Sequence, residues 1–216
     1  MSVDDVWRRI DKHLGVYLDG TFDQIPESAG VYGWFYPLRV TTKDLRELIS
    51  ELSKVSDYDA LCESKPQSTN NLDFNWITSK VTIKQSLKLK SIPQKVFDAW
   101  ELYKDDEDLF NQLRKSLMSA SLLMPPLYIG KTNNLRTRCM QHVKGTDQDV
   151  SDFHQRFETF AKSENFSSQE IQNLIFVCVK TEYDKTDKSM DNTFLNPHSV
   201  VEEILKAVAK PPYGKI

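Results

Sequence analysis

The sequence predicts an α+β fold, a small module that carries a long insertion. Three observations lead there. Two short β-forming runs place a tyrosine beside a glycine, at residues 30–32 and 128–130. A third strong apolar run, NLIFVCVK, spans residues 173–180. Helical periodicity fills most of the chain between and after them. The order is strand, large mostly helical insert, strand, helix, strand, helix, with no internal repeat. A length of 216 residues fits one domain with a large insertion and is enough to bury a core.

Taken in order, Val3, Val6, Trp7, Ile10 and Leu14 recur at helical spacing, and Gly15 and Gly20 end that pattern. Residues 31–36 (VYGWFY), bounded by Gly30 and Pro37, read as a strand. Residues 41–52 read as a helix with Leu45, Leu48, Ile49 and Leu52 as its apolar stripe and Thr41 and Asp44 as a capping pair. Residues 55–72 are turn-rich and polar, a surface loop or a disordered segment. Residues 81–89 alternate, with Val81, Ile83, Leu87 and Leu89 on one face and Lys84 and Lys88 on the other. That lysine face is either a solvated sheet edge or a ribbon that contacts phosphates. Ser91, Pro93 and Gln94 form a helix start, continued by Val96, Phe97, Trp100 and Tyr103. An acidic patch at residues 105–108 precedes a helix with Leu109, Phe110, Leu113 and Leu117, which Pro125 and Pro126 stop. After the second strand and its helix, Phe153, Phe157 and Phe160 mark another helix. Val200, Val201, Ile204, Leu205 and Val208 form the apolar face of the last one, ended by Pro211 and Pro212.

Composition narrows the classes. Mean hydropathy of −0.50 and apolar runs far shorter than a bilayer crossing argue for a soluble protein with no membrane partner. The first residues lack the apolar core of a secretion signal, so a cytoplasmic location is expected. Three widely spaced cysteines, Cys62, Cys139 and Cys178, form neither a disulfide framework nor a zinc site. The net charge is −3, so broad coating of nucleic acid is not expected.

Against that acidic background, residues 125–146 (PPLYIGKTNNLRTRCMQHVKGT) hold two Lys, two Arg and no acid. A short strand ends at Gly130, a polar corner follows, and a helix starts at Leu135. Arg138 and His142 lie four apart and therefore share a helix face. A locally cationic strand–turn–helix points to an anionic substrate.

The pair Gly30-Val31-Tyr32 and Tyr128-Ile129-Gly130, with the run YIGKTNNLRTRCMQH and the C-terminal EEILKAVAKPPYG, resembles the GIY-YIG nuclease superfamily. In size and layout it is most similar to the stand-alone restriction-type members. The resemblance covers about a third of the chain. It implies a central three-stranded antiparallel sheet flanked by helices. Residues 1–216 would be one catalytic domain, and residues 38–124 an insertion between the first two strands that could recognise DNA. It implies a metal-dependent endonuclease that hydrolyses DNA phosphodiester bonds, of restriction or phage-defence type. Tyr32, Tyr128, Arg138, His142 and Glu202 would be its catalytic residues. Glu202 would hold one Mg²⁺ or Mn²⁺, with Glu203 in its place if the register shifts by one. A homodimer would supply two equivalent sites.

The residue types suit the reaction. A carboxylate takes hard cations. A guanidinium presents a fixed fork to phosphate. A phenol is a poor base at its reference pKa, so either Tyr32 or His142 could accept the proton from water. Lys131, Arg136, Lys144, Lys84 and Lys88 are candidate DNA contacts. Gly214 stands where the family carries an asparagine, which motivates a second reading, a catalytically silent nucleic-acid-binding protein on the same scaffold. A third is a partner-dependent repair nuclease.

Overall fold

The computed structural model describes residues 10–56, 93–145, 151–181, 197–209, 211 and 213. The fold is α+β. Four strands form one antiparallel sheet in the order β1-β4-β2-β3: β1 Leu14–Tyr17, β2 Gly30–Phe35, β3 Tyr128–Thr132 and β4 Ile175–Lys180. Six longer helices accompany it: α1 Leu45–Ser56, α2 Gln94–Asp105, α3 Glu107–Ala120, α4 Leu135–Lys144, α5 Ser151–Ser163 and α6 Pro197–Ala209. Among the described residues no helix is long and apolar enough to cross a membrane.

The sheet has four strands where three were expected. The helical period through Leu14 is broken one residue early: a helical turn, Ile10–His13, gives way to β1. Leu14-Gly15-Val16-Tyr17 alternates, and it pairs with β4 from Leu14↔Val179 to Tyr17↔Phe176. Gly15 leaves room for the Tyr17 ring, which a β-carbon at position 15 would meet at 2.5 Å.

Alternation gives the sheet two unlike faces. Tyr32, Trp34, Tyr128, Phe176 and Cys178 point to one side, where α4 and α5 add Leu135, Cys139, Phe153 and Phe157 to close the main core. Val31, Ile129, Lys131, Val177 and Val179 point to the other, and α6 packs against β3 and β2. The residues between β2 and β3 build a second core from Val40, Leu45, Leu48, Ile49, Trp100 and Phe110. Glu51 on α1 ties the two together: the Tyr36 hydroxyl, the Ser167 amide at 3.0 Å and the Ser167 hydroxyl at 2.8 Å all donate to it.

Local signals explain most boundaries. Asp44 accepts from the Arg46 amide at 2.8 Å and so caps α1, which begins later than the sequence pattern suggests. The acidic patch is a helix junction: Asp106 ends α2 and caps α3 by accepting from the Asp108 and Leu109 amides. The alternating stretch 81–89, with Lys84 and Lys88, and Gly214 lie outside the described residues.

The last helix departs from expectation. Its apolar residues Val200, Val201, Ile204, Leu205 and Val208 are exposed, Val208 at 79%. Ser199 and Glu202 are the buried ones. The helix is amphipathic as the sequence indicates, but it turns a polar stripe toward the sheet.

Candidate active site

The site grows from the pairing of β2 with β3. Tyr32 sits opposite Gly130 and Trp34 opposite Tyr128, so both tyrosines project from the core face. Gly130 has a specific task there: a β-carbon at that position would lie 2.5 Å from the Tyr32 hydroxyl. Glycine therefore lets the phenol lie across the neighbouring strand.

Helix α4 delivers Arg138 and His142. Asn134 caps it by accepting from the Thr137 amide at 2.9 Å, and Gly145 ends it in the left-handed region at φ 63°. Leu135 and Cys139 anchor its buried side. Arg138 and His142 then meet the same phenol: Arg138 Nε donates to the Tyr32 oxygen at 3.2 Å, and His142 Nε2 lies 2.7 Å from it. The His142 ring packs edge-on against Tyr32, Tyr128, Trp34 and Phe153. Tyr128, only half-buried, stacks on Phe153 with centroids 4.8 Å apart.

Burial sets the electrostatics. It raises the Tyr32 pKa well above its ordinary value, and Tyr128 adds to the rise while Arg138 opposes it. His142 is 1% exposed, and burial, then the Arg138 charge, then His154 lower its pKa to about 3. Both groups are neutral at neutral pH. His154 supports the arrangement from α5, where its Nδ1–H donates to the His142 carbonyl at 2.7 Å.

The carboxylate forms a second cluster. Glu202 on α6 is 6% exposed and is paired with Lys206 Nζ at 3.0 Å and Lys131 Nζ at 3.5 Å. Lys131 also donates to the Ser199 hydroxyl at 2.9 Å. Lys131 follows Gly130 on β3, so its side chain leaves the strand on the face opposite to Tyr128. The structure thus brings Tyr32, Tyr128, Arg138 and His142 together, and sets Glu202 in a neighbouring group across strand β3. Glu203 is 71% exposed at its side chain and faces Lys206 at 3.8 Å.

The donor chemistry at Glu202 fits a hard divalent cation. Two ammonium groups already stand as cations at its oxygens, so a metal would displace at least one of them. Among the described residues no three His, Cys, Asp or Glu side chains gather, so such a cation would draw on Glu202 and water.

The remaining candidates divide. Arg136 is committed within the chain: its Nε donates to the Ile25 carbonyl at 2.7 Å and its Nη1 meets Glu27 at 2.5 Å. Lys144 is exposed on the last turn of α4. Cys139 is fully buried, and burial pushes its thiol up, which suits packing and not nucleophilic attack. Sequence reasoning missed Ser199 and Lys206, although a glutamate four residues before a lysine is a recognisable helix pair. Comparison with protein-family models, with curated proteins and with solved structures finds no match to this chain.

Proposed function

We propose that the chain is a metal-dependent endonuclease that hydrolyses DNA phosphodiester bonds, of restriction or phage-defence type, with the GIY-YIG resemblance as its frame. One observation carries the reading. The Tyr32 oxygen lies 2.7 Å from His142 Nε2 and 3.2 Å from Arg138 Nε, so a buried phenol and a fixed positive charge share one point. A phosphate drawn to the guanidinium is drawn to the phenol as well. Tyr128, half-buried, lies beside them with its ring centroid 6.1 Å from that of Tyr32. Glu202 would hold one Mg²⁺ or Mn²⁺, which when bound supplies neutralisation of phosphate and leaving-group oxygens. Lys131 and Lys144 are the described candidates for backbone-phosphate contacts, with Lys84 and Lys88 beyond the described residues. Residues 38–124, with their own core, are the proposed DNA-recognition insertion.

Cleavage of duplex and single-stranded DNA with Mg²⁺ or Mn²⁺ tests this. Arg138→Ala and Glu202→Ala are each expected to lower the rate by about 10²-fold or more. DNA binding without cutting under either metal sinks the enzyme reading. It would favour a silent nucleic-acid-binding protein, a reading supported by the two lysines that already neutralise Glu202. A homodimer is part of the proposal, and the outward apolar stripe of α6 supports it. Sedimentation of Ile204→Glu is expected to give a smaller particle than wild type, and equal masses would remove the dimer.

A further inference from the structure

Two buried nitrogens near the Tyr32 phenol have no hydrogen-bond partner among the described residues: His142 Nδ1 and Trp34 Nε1. Their rings are in contact, with centroids 5.9 Å apart and planes at 73°. Trp34 is fully buried and His142 nearly so. An indole nitrogen can only donate. A neutral imidazole carries one proton, and the nitrogen without it accepts.

One arrangement leaves the fewest polar groups unpaired. The two nitrogens do not bond each other, so a bridging water has to serve both. With the proton on Nδ1, that water would accept from two N–H donors and find no acceptor for its own hydrogens. With the proton on Nε2, it accepts from the indole and donates to the Nδ1 lone pair. We propose that Trp34 sets the tautomer of His142: its N–H reaches the Nδ1 lone pair through one bridging water, and His142 Nε2–H therefore donates to the Tyr32 oxygen.

The consequence reaches Tyr32. Its oxygen accepts from Nε2–H at 2.7 Å and from Arg138 Nε–H at 3.2 Å. Its own proton is then left to turn toward Tyr128, whose ring centroid lies 6.1 Å from that of Tyr32. The donors then run in one direction, from Trp34 through His142 and Tyr32 to half-exposed Tyr128, and each bond polarises the next. His142 is a donor in this chain and not a base. Trp34 is a positioning residue that acts through it. The tautomer stands independently of the reaction, whereas its catalytic meaning rests on the nuclease reading.

Histidine ¹⁵N shifts in the full-length protein test the proposal. Between pH 5 and 8 His142 is expected to show a pyridine-like Nδ1 and a pyrrole-like Nε2, and the reverse pattern overturns it. Trp34→Phe is expected to move His142 toward a mixture that includes the Nδ1–H form, and an unchanged spectrum overturns the role of Trp34. Should that variant fail to fold, benzothienylalanine at position 34 keeps the ring shape and removes only the N–H, with the same two outcomes. A protein that cuts no DNA but shows the expected shifts would fail the nuclease reading and keep the tautomer.

Discussion

His142 and Glu202 are both buried, among different neighbours. The imidazole stays neutral because burial, then the charges of Arg138 and His154, disfavour its cation, and its pKa falls to about 3. The unfolded chain protonates that histidine near its ordinary value of about 6.5, while the folded chain does not. The unfolded state therefore binds more protons between those two values, and stability is lost as pH falls through that window. Unfolding free energy measured from pH 7 to pH 4 is expected to fall less steeply in His142→Asn than in wild type, by about 1.4 kcal/mol per pH unit at most. Glu202 instead lies between two ammonium groups, those of Lys206 and Lys131. Removing one competing cation with Lys206→Met is expected to tighten Mn²⁺ binding several-fold, read by calorimetry without DNA. Weaker binding would show that Lys206 holds the carboxylate in place for the metal.

Among the elements, α4 was the most legible. Asn134, Leu135 and Gly145 mark its cap, its buried anchor and its end, and the spacing of Arg138 and His142 sets their shared face. Helix α6 was legible as a helix but not in its orientation. Its apolar residues form a clean stripe, and ordinary burial would turn that stripe inward. Lys131 on the adjoining strand reverses the choice, because the Lys131–Ser199–Glu202–Lys206 group needs to face β3. No periodicity records a partner about seventy residues away in the chain, far beyond the window over which a helical or strand pattern is read. The same blindness applied to β1, where a four-residue strand sat at the end of a helical period. Two substitutions separate the faces. Leu135→Ala is expected to cost about 2–5 kcal/mol in denaturant unfolding. Ile204→Glu is expected to change monomer stability by no more than about 0.5 kcal/mol.

At the scale of the whole molecule, the two tyrosine strands were readable as neighbours only through motif resemblance. Tyr32 and Gly130 are direct partners across the sheet, yet the second core lies between them in sequence. Strand β2 is also central, held on its other side by β4 from Gly30↔Lys180 to Phe35↔Ile175. That position has a biosynthetic consequence. A nascent chain that has delivered β2 to the ribosome exit holds a strand with both edges open. It has to wait for residue 132 to close one edge and for residue 180 to close the other. The segment that builds the second core emerges during that wait and can organise first, because its contacts are more local. Stalled chains are therefore expected to stay protease-sensitive at Trp34 until β4 has cleared the tunnel, with the α1–α3 region protected earlier. The Tyr32 phenol is thus sheltered only after the α1–α3 region has organised, so the group around it does not exist on a chain that stops short of β4.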